Sequence, residues 1–294
     1  MTAEVVGIAN PVSGGGAARM VWPALEAALT ARGVDARIIW SSGAADAADA
    51  AEAAAREGAQ VVAVGGDGQI RVVAEGLSRV PGAALGIAPA GRGNDLARHL
   101  GLPHDAVALA DVLCAGTRRT VDTVDVGGMT VLGNVYAGLD SLSTELINRL
   151  RSIGTAAYRL APVLAALRWR PARFTVTVDG ETLDLAAHMV VVANSGDYGH
   201  GLRMVPSADV GSGRLEILVV RGDHSKYRLA NLMGQARTGA HVGRPEVLVL
   251  SGTTVTVAAD RPVPVHADGD YLTELPFTAV VRPGTLDVIV PPMP

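Results

Sequence analysis

Short apolar runs alternate with helical patterns over roughly the first 120 residues. The apolar runs cover residues 5–9, 36–40, 61–64 and 84–88. Near-continuous apolar runs of this length are typical of strands that are covered on both faces. The helical patterns cover residues 17–32, 44–57, 70–78 and 105–115. The alternation of strand and helix predicts an α/β domain with a parallel sheet and right-handed crossovers.

The pattern changes at about residue 120, where apolar and polar positions begin to alternate. The alternating segments cover residues 174–178, 183–193, 215–220, 254–258 and 285–290. Turn signals such as Asp179-Gly180 separate them. We therefore predict two domains, residues 1–122 and residues 123–294, the second mostly antiparallel β. A helical insert is expected at about residues 141–170, and the last strand is able to pack back on the first domain.

Composition narrows the class of protein. The chain is 49% hydrophobic and 18% charged, which indicates a globular protein with real cores. Its net charge of −4 argues against nucleic acid as a partner. The single cysteine, Cys114, lies in an apolar helical pattern and is expected to be a buried thiol. No signal-peptide pattern and no long apolar window occur, so a cytoplasmic protein is expected.

Three glycine-rich loops are predicted at the carboxyl ends of the parallel strands. They read NPVSGGG from residue 10, GGDG from residue 65 and PAGRGND from residue 89. Ligands bind at this edge of open α/β sheets, and glycines let backbone N–H groups approach an anion. Each loop alone is also compatible with a plain turn. None matches the P-loop or the dinucleotide-binding fingerprint.

Taken in order, the motifs resemble one family. NPVSGGG, VGGDG, GRGNDLARHLG, AGLDS, ANSGDYGHGLRMVPSAD and DGD resemble the bacterial diacylglycerol-kinase-like lipid kinases, which include sphingosine kinases and are distantly related to NAD kinases. The resemblance implies a nucleotide-binding α/β domain of the NAD-kinase type, followed by a β-sandwich domain. It also implies ATP and Mg²⁺ in the cleft, and a hydroxyl-bearing lipid such as diacylglycerol that enters between the domains.

The resemblance assigns roles to individual residues. Asp67 would be a ligand of the metal or of its water, and Arg92 would stand beside the phosphates, where it could bind them directly. The residues implied in nucleotide binding are Asn10, Ser13, Gly65, Gly66, Asp67, Gly68, Gly91, Arg92, Gly93 and Asn94.

The implied catalytic residues are Asp140, Asp268 and Asp270. Asp140 falls where the family has an active-site aspartate networked with the GGDG aspartate. Asp270 falls on the family's glutamate, the proposed general base, which would accept the proton of the acceptor hydroxyl. If residues 266–270 stay extended, the two carboxylates of Asp268 and Asp270 point to the same face. A β-turn at Asp268-Gly269 is the alternative.

Four departures from the family pattern leave other functions open. Gln69 and Arg92 replace threonines, Asp270 replaces glutamate, and Ser212 replaces an aspartate in a region that many members use for a structural metal. His200 interrupts a triple glycine. A non-catalytic nucleotide or lipid binder is therefore one alternative. An NAD kinase-like enzyme is the other, although the Asn-Glu pair and the TGSTAY-like run of that family are missing.

Two further partners are suggested by the second domain. Residues 149–173 contain six arginines, no acid and Trp169, a composition suited to peripheral contact with an anionic membrane surface. The alternative is a solvated helix face over packed Leu160, Leu164 and Leu167. Exposed β edges in this domain also leave a homodimer open.

Overall fold

Two units make up the structure, a computed structural model that describes residues 4–12, 15–150, 156–199, 201–224 and 227–292. The first unit comprises Met1–Thr123, Gly199–Gly201 and Pro283–Pro294. The second comprises Val124–Tyr198 and Leu202–Arg282.

The first unit is an α/β domain with a parallel sheet. Its neighbouring strands run in the order β15-β4-β3-β1-β2, and every one of these pairs is parallel. Two of its strands, β5 and β15, also have residues in the second unit. Its elements are β1 (Glu4–Ala9), α1 (Ala18–Thr30), β2 (Asp35–Trp40), α2 (Ala44–Arg56), β3 (Gln60–Gly65), α3 (Asp67–Leu77), β4 (Ala84–Pro89), α4 (Asp95–His99), α5 (Ala106–Ala115), β5 (Thr117–Val126) and β15 (Phe277–Val290).

Burial explains why these segments form strands and helices. Every residue of β4 is buried, and β3 is buried beyond its first residue, as expected for strands covered on both faces. The edge strand β2 has no buried residue. Helix α2 buries four alanines and leaves its acidic residues outside, and Gly58 follows it with φ of +86°.

Helices α2 and α3 pack unusually closely. A Cβ atom built on Gly76 of α3 would collide with the carbonyl oxygen of Ala48 in α2. Glycine is therefore required at position 76 by the neighbouring backbone. Helix α3 also begins at Asp67, inside the GGDG motif, whereas the sequence pattern placed its start at Ile70. The sequence pattern missed this start because two glycines hide the helical period.

The second unit is built from antiparallel strands and three helices among its described residues. Its remaining elements are β6 (Met129–Val131), β7 (Asn134–Gly138), α6 (Leu139–Arg149), α7 (Ala156–Arg168), β8 (Ala172–Val178), β9 (Glu181–Ala193), β10 (Leu215–Arg221), α8 (Tyr227–Ala236), a short 3-10 helix (Ala240–Gly243), β11 (Val247–Gly252), β12 (Thr254–Ala259), β13 (Pro264–Ala267) and β14 (Asp270–Glu274).

The strands of the second unit run in the order β14-β13-β7-β9-β8-β12-β15, and β10 pairs with both β9 and β11. Their inward residues form a core rich in valine around Phe174 and Ile217. The predicted fold class, an α/β domain and then an antiparallel β domain, is confirmed. The turn predicted at Asp179-Gly180 joins β8 to β9, and both residues have positive φ.

The helices of the described residues contradict one expectation, the burial of Cys114. The helical insert predicted at residues 141–170 consists of two helices, α6 and α7, and Pro162 lies inside α7. Cys114 is exposed, because it lies on the outer side of α5 while Leu109, Val112 and Leu113 face the core. No helix in the described ranges is both long and apolar enough to cross a bilayer.

The close packing of α2 and α3 gives a testable prediction. Gly76→Ala should lower the free energy of unfolding by about 1–3 kcal/mol, because the added methyl group forces the two helices apart. Gly234→Ala is the matched control, since Gly234 lies in α8 with open space around it. That change should raise stability by about 0.5–1 kcal/mol. Urea denaturation measures both, and equal effects of the two substitutions would contradict the packing argument.

Candidate functional site

Two of the predicted glycine loops lie side by side in the first unit. Strands β3 and β4 are parallel neighbours, and Gly65 at the end of β3 pairs with Pro89 at the end of β4. A Cβ atom built on Gly91 would collide with the Cα of Gly66, and one built on Gly66 would lie 3.1 Å from the Cα of Gly91. The two loops therefore touch through their glycine backbones, and a side chain at either position would push them apart.

Asp67 joins these loops. Its Oδ2 accepts a hydrogen bond from the backbone N–H of Asp95 at 3.2 Å, and its Oδ1 accepts one from Leu96 at 3.1 Å. The carboxylate thus satisfies two of the N–H groups that the start of α4 leaves unpaired. Asp67 itself is in the first turn of α3, so one side chain connects the starts of two helices.

Asn94 shapes the second loop. It has a left-handed backbone, with φ of +55°. Its side chain closes the loop on Gly91, because Oδ1 accepts from the Gly91 N–H at 2.8 Å and Nδ2 donates to the Gly91 carbonyl at 3.0 Å. Asparagine tolerates this conformation better than most residues do. Asn94 is therefore a buried scaffold for the loop, and Arg92 at the loop tip is exposed.

Asp95 and Arg98 complete the second loop, and the sequence analysis did not single them out. Arg98 forms a salt bridge with Asp95 at 3.1 Å and donates to the Gly93 carbonyl at 3.0 Å. Asp95 also accepts a hydrogen bond from the Gly201 N–H at 3.1 Å. The signal was present, since both residues belong to the GRGNDLARH motif.

Two carboxylates are close together here. A Cβ atom on Gly93 would lie 3.3 Å from Oδ2 of Asp67 and 3.4 Å from Oδ2 of Asp95. Burial raises the pKa of Asp67 above its ordinary value, and the neighbouring Asp95 carboxylate raises it further. A cation would offset this repulsion. Mg²⁺ usually binds one or two carboxylates together with substrate phosphates and water, so this donor pair fits it.

The described residues contain no cluster of three or more His, Cys, Asp or Glu side chains that could hold a metal without a substrate. In the SADVGSG segment, the Ser212 hydroxyl accepts a hydrogen bond from the Arg214 N–H at 3.2 Å and so closes a turn. Ser212, which replaces the family aspartate, therefore makes a local structural contact.

The first predicted loop is only partly described. Asn10 follows β1, and its Oδ1 accepts a hydrogen bond from the Val12 N–H at 3.0 Å. Ser13 lies outside the described residues, as does His200. Gln69 is buried and donates from Nε2 to the Ile8 carbonyl at 3.2 Å, so it ties α3 to the end of β1. The side chain that replaces the family threonine thus has a structural contact. Gly68 lies in the first turn of α3.

In the second unit, residues 266–270 do not stay extended, and the alternative of a β-turn at Asp268-Gly269 is confirmed. Ala267 pairs with Asp270 across a two-residue turn, and Asp268 and Gly269 have φ of +49° and +91°. These values are typical of the tight Asp-Gly turn that joins twisted antiparallel strands. Asp268 therefore lies in the hairpin turn and Asp270 begins the next strand, so the two residues do not belong to one extended segment.

Asp268 is bound to a neighbouring loop. Its carboxylate accepts hydrogen bonds from the N–H groups of Leu132 at 3.2 Å, Gly133 at 3.1 Å and Asn134 at 3.0 Å. Asp270 is exposed at the start of β14. The two aspartates of the DGD motif therefore have different environments. Asp268 is hydrogen-bonded to loop backbone, whereas Asp270 is exposed to solvent.

Asp140 lies at the start of α6, and its carboxyl group is desolvated. Oδ1 accepts a hydrogen bond from the Ser141 N–H at 3.0 Å, and Oδ2 is buried. Burial raises the pKa of Asp140 to about 8. Asp140 is therefore largely protonated at neutral pH.

A cluster of aromatic rings, which the sequence analysis missed, lies in the same unit as Asp140. Tyr136 and Tyr198 have ring centroids 4.7 Å apart, Tyr136 stacks on His266 at 5.9 Å, and His266 meets Tyr271 edge-on at 5.8 Å. Strand pairing explains the row, because His266 is opposite both Tyr136 and Tyr271. Burial lowers the pKa of His266 to about 4, so its imidazole is neutral at physiological pH.

Two family models match the chain in succession. Residues 4–126 match the "Diacylglycerol kinase catalytic domain", and residues 133–290 match the "YegS C-terminal NAD kinase beta sandwich-like domain". The first match contains both interlocked glycine loops, and the second contains Asp140 and the DGD hairpin.

Curated relatives and solved structures agree with these matches. A diacylglycerol kinase of Mycobacterium tuberculosis is 36% identical over 98% of this chain and 95% of its own length. The diacylglycerol kinase of Bacillus subtilis is 27% identical over 84% of this chain and 83% of its own. A crystal structure from Bacillus anthracis str. Sterne has a TM-score of 0.77 at 21% identity and covers 98% of this chain and 97% of its own, which shows the same fold.

The protonation of Asp140 gives a prediction for stability against pH. Because the folded-state pKa is raised, the folded protein holds a proton that the unfolded chain releases above its own pKa, so this contribution is lost as pH rises toward 8. Asp140→Asn should remove it. From pH 6.5 to 8 the stability of the variant should therefore rise relative to the unsubstituted protein, by at most about 1.4 kcal/mol per pH unit. Urea denaturation at three pH values measures the difference.

The lower limit of pH 6.5 separates this effect from that of His266. The lowered pKa of His266 makes its contribution fall only as the pH drops below 6.5 toward 4. A stability difference between variant and unsubstituted protein that stays constant from pH 6.5 to 8 would show that Asp140 is ionised in the folded state.

Proposed function

This chain belongs to the diacylglycerol kinase-like lipid kinases, and on that premise we propose that it transfers the terminal phosphate of ATP to the hydroxyl of a neutral lipid such as diacylglycerol. The observation that carries the proposal is the pair of glycine loops held together by Asp67 within the part that matches a diacylglycerol kinase catalytic domain. Phosphoryl transfer depends mainly on positioning and charge neutralisation, and closely packed backbone loops are suited to both.

In this proposal the first unit binds the nucleotide. Backbone N–H groups of Gly65, Gly66, Gly68 and Gly93 face the phosphates, and the exposed Arg92 adds a guanidinium group with bidentate capacity. Gly91 contributes through its close backbone contact with Gly66, because its own N–H is bound to Asn94. Asn10 and Ser13 of the first loop contribute further contacts. Asn94 acts through the loop that it closes.

Mg²⁺ is the proposed metal, and Asp67 with the adjacent Asp95 would hold it. The ion would neutralise the negative charge on the phosphates. Asp67 is suited to this role because its side chain is fixed by the two N–H groups of α4. Its position would then not depend on the ligand.

Asp270 is the proposed general base on the acceptor side. Its open position at the start of β14 leaves the carboxylate accessible to an acceptor hydroxyl, whereas Asp268 is committed to three backbone N–H groups. Asp268 is thus proposed to hold the hairpin that presents Asp270. Asp140 is proposed to contribute as a neutral acid, because its carboxyl group is protonated near neutral pH.

One assay separates this function from its two alternatives. The protein is incubated with radiolabelled ATP and Mg²⁺, and with diacylglycerol, other lipid alcohols, NAD or buffer alone. Label in a lipid supports the proposal, and label in NAD supports the NAD kinase-like alternative. No transfer to any acceptor, together with retained ATP or lipid binding, supports a binding protein.

The first prediction of this proposal concerns Asp67. Asp67→Asn should lower lipid phosphorylation by about 10²-fold or more, because the substitution removes a charge that organises the phosphates. Asp105→Asn is the matched control, since Asp105 also caps a helix by accepting N–H groups of Val107 and Ala108. Both changes should leave stability nearly unchanged, because asparagine caps a helix about as well as aspartate does, but only Asp67→Asn should affect turnover. Equal turnover by the two folded variants would contradict the role of Asp67.

The second prediction concerns Asp270. Asp270→Asn should lower lipid phosphorylation by about 10²–10⁴-fold while ATP still binds, because a general base is lost but the nucleotide site remains. Asp270→Glu should retain activity, since it keeps the carboxylate. Glu274→Gln on the same strand is the control and should leave turnover unchanged. If Asp270→Asn is fully active while a folded Asp268→Asn variant is inactive, the base is Asp268.

A further inference from the structure

Asp270 begins a strand at the edge of the sheet. β14 stands at one end of the strand order, and within the described ranges its only strand partner is β13. The turn before it is held by the three hydrogen bonds that the Asp268 carboxylate accepts. Those bonds hold the turn and not the strand that follows, so the position of Asp270 also depends on what holds β14.

A ring contact connects β14 to the interior of the sheet. Tyr271, the residue after Asp270, meets His266 of β13 edge-on, with ring centroids 5.8 Å apart and an interplanar angle of 85°. This arrangement is favoured between two rings and stabilises them beyond the area that they bury. His266 in turn stacks on Tyr136 of β7, with ring centroids 5.9 Å apart. Three neighbouring strands are therefore joined by one row of rings.

His266 is the fixed member of this row. It is 1% exposed, and its Nδ1 is buried with no hydrogen-bond partner in the part of the chain that the structure describes. Burial lowers the pKa of His266 to about 4, so the imidazole carries no charge at neutral pH. A buried, neutral ring whose contacts are other rings acts through packing, and the neighbour that it supports is Tyr271.

An irregularity in strand pairing determines which residue of β14 meets His266. Val265 is opposite Thr273, but the next residue, His266, is opposite Tyr271, so Leu272 is an extra residue on β14. Such a bulge re-aims the side chains beside it, and bulges are frequent next to active sites. Without the bulge, regular pairing would place Leu272 opposite His266. The bulge therefore brings the tyrosine ring to the imidazole.

The bulge also determines the side on which Asp270 lies. Asp270 is opposite Ala267, whereas Tyr271 is opposite His266. Because successive residues of a strand face opposite sides, a Tyr271 ring held against His266 directs Asp270 to the other side. Tyr271 is 59% exposed, and its hydroxyl has no hydrogen bond among the described residues. The ring, and not the hydroxyl, is thus the part of Tyr271 that makes the contact.

We propose that Tyr271, seated on His266, is a positioning residue that fixes the Asp270 carboxylate where it can accept the proton of the acceptor hydroxyl. A general base acts only within hydrogen-bond reach of that proton, and a small displacement of a reacting group lowers the rate strongly. Groups that hold a catalytic side chain in place through packing are therefore part of a working site. The inference rests on the proposed function, in which Asp270 is the base.

Steady-state kinetics test the role of the ring. Tyr271→Leu should lower kcat for diacylglycerol phosphorylation by about tenfold and leave KM for ATP within about twofold, because the base is displaced but the nucleotide loops are untouched. Tyr271→Phe keeps the ring and should retain the kcat of the unsubstituted protein. Thr273→Val on the same strand is the control and should leave kcat unchanged. A Tyr271→Phe variant as slow as Tyr271→Leu would overturn the inference.

A double-mutant cycle separates positioning of Asp270 from a general loosening of the fold. In the Asp270→Asn background no carboxylate remains to be positioned, so Tyr271→Leu should cause no further loss of kcat. A purely structural effect would lower kcat by the same factor in both backgrounds, and that result would overturn the inference. An Asp270→Asn variant as active as the unsubstituted protein would overturn it as well, since Asp270 would then not be the base.

Hydrogen–deuterium exchange measures the anchoring of β14 without any catalysis. The amides of residues 264–274 should exchange about fivefold faster in Tyr271→Leu than in the unsubstituted protein, because loss of the ring pair makes local opening of the hairpin easier. Tyr271→Phe and Thr273→Val should exchange like the unsubstituted protein. Unchanged exchange in Tyr271→Leu would overturn the inference, whatever acceptor the enzyme uses.

Failure of this inference can be distinguished from failure of the proposed function. If the unsubstituted protein phosphorylates diacylglycerol and Tyr271→Leu does so at the same kcat, the inference is overturned and the function stands. If the unsubstituted protein phosphorylates no lipid, the proposed function fails and the assignment of Asp270 as base fails with it. Faster exchange in Tyr271→Leu together with a lower kcat, both restored in Tyr271→Phe, supports the inference.

Discussion

The two interlocked glycine loops of the first unit depend on one interaction, the pairing of the Asp67 carboxylate with the first N–H groups of α4. Asp67 belongs to the loop after β3, and α4 belongs to the loop after β4, so this side chain fixes one loop against the other. The contact is feasible only because Gly66 and Gly91 have no side chains. A buried carboxylate needs such donors, since desolvation alone would make its charge costly.

The second unit contains a similar interaction between an aspartate and loop backbone, at the DGD motif. Asp268 accepts three backbone N–H groups of residues 132–134 and thereby anchors the hairpin between β13 and β14. In both units, then, an aspartate that follows or precedes glycine stabilises loop backbone. Sequence motifs of this kind carry architectural information as well as chemical information. A substitution at Asp67 or Asp268 must therefore be compared with a control that changes stability alone.

The sequence predicted these loops well because their signals are local. A buried strand followed by glycines identifies the carboxyl end of a parallel strand, and the structure has β3 and β4 ending at Gly65 and Pro89. The aromatic row could not be predicted in this way. Tyr136, His266 and Tyr271 come from three strands, and only strand register brings them together. The exposure of Cys114 was missed because an almost uniformly apolar helix gives no clear period.

The protonation states of Asp140 and His266 could not be predicted from the sequence either, because they depend on burial in the folded chain. Asp140 and His266 have opposite charges when ionised, yet burial favours the neutral form of both, since it raises the pKa of Asp140 and lowers that of His266. The cause is burial within the folded chain, which no motif encodes. Asp140 is thus better described as a neutral hydrogen-bonding acid than as an anion. Of the three aspartates that the family resemblance implies to be catalytic, Asp268 is hydrogen-bonded to loop backbone and Asp140 is buried with a raised pKa, which leaves Asp270 as the accessible carboxylate.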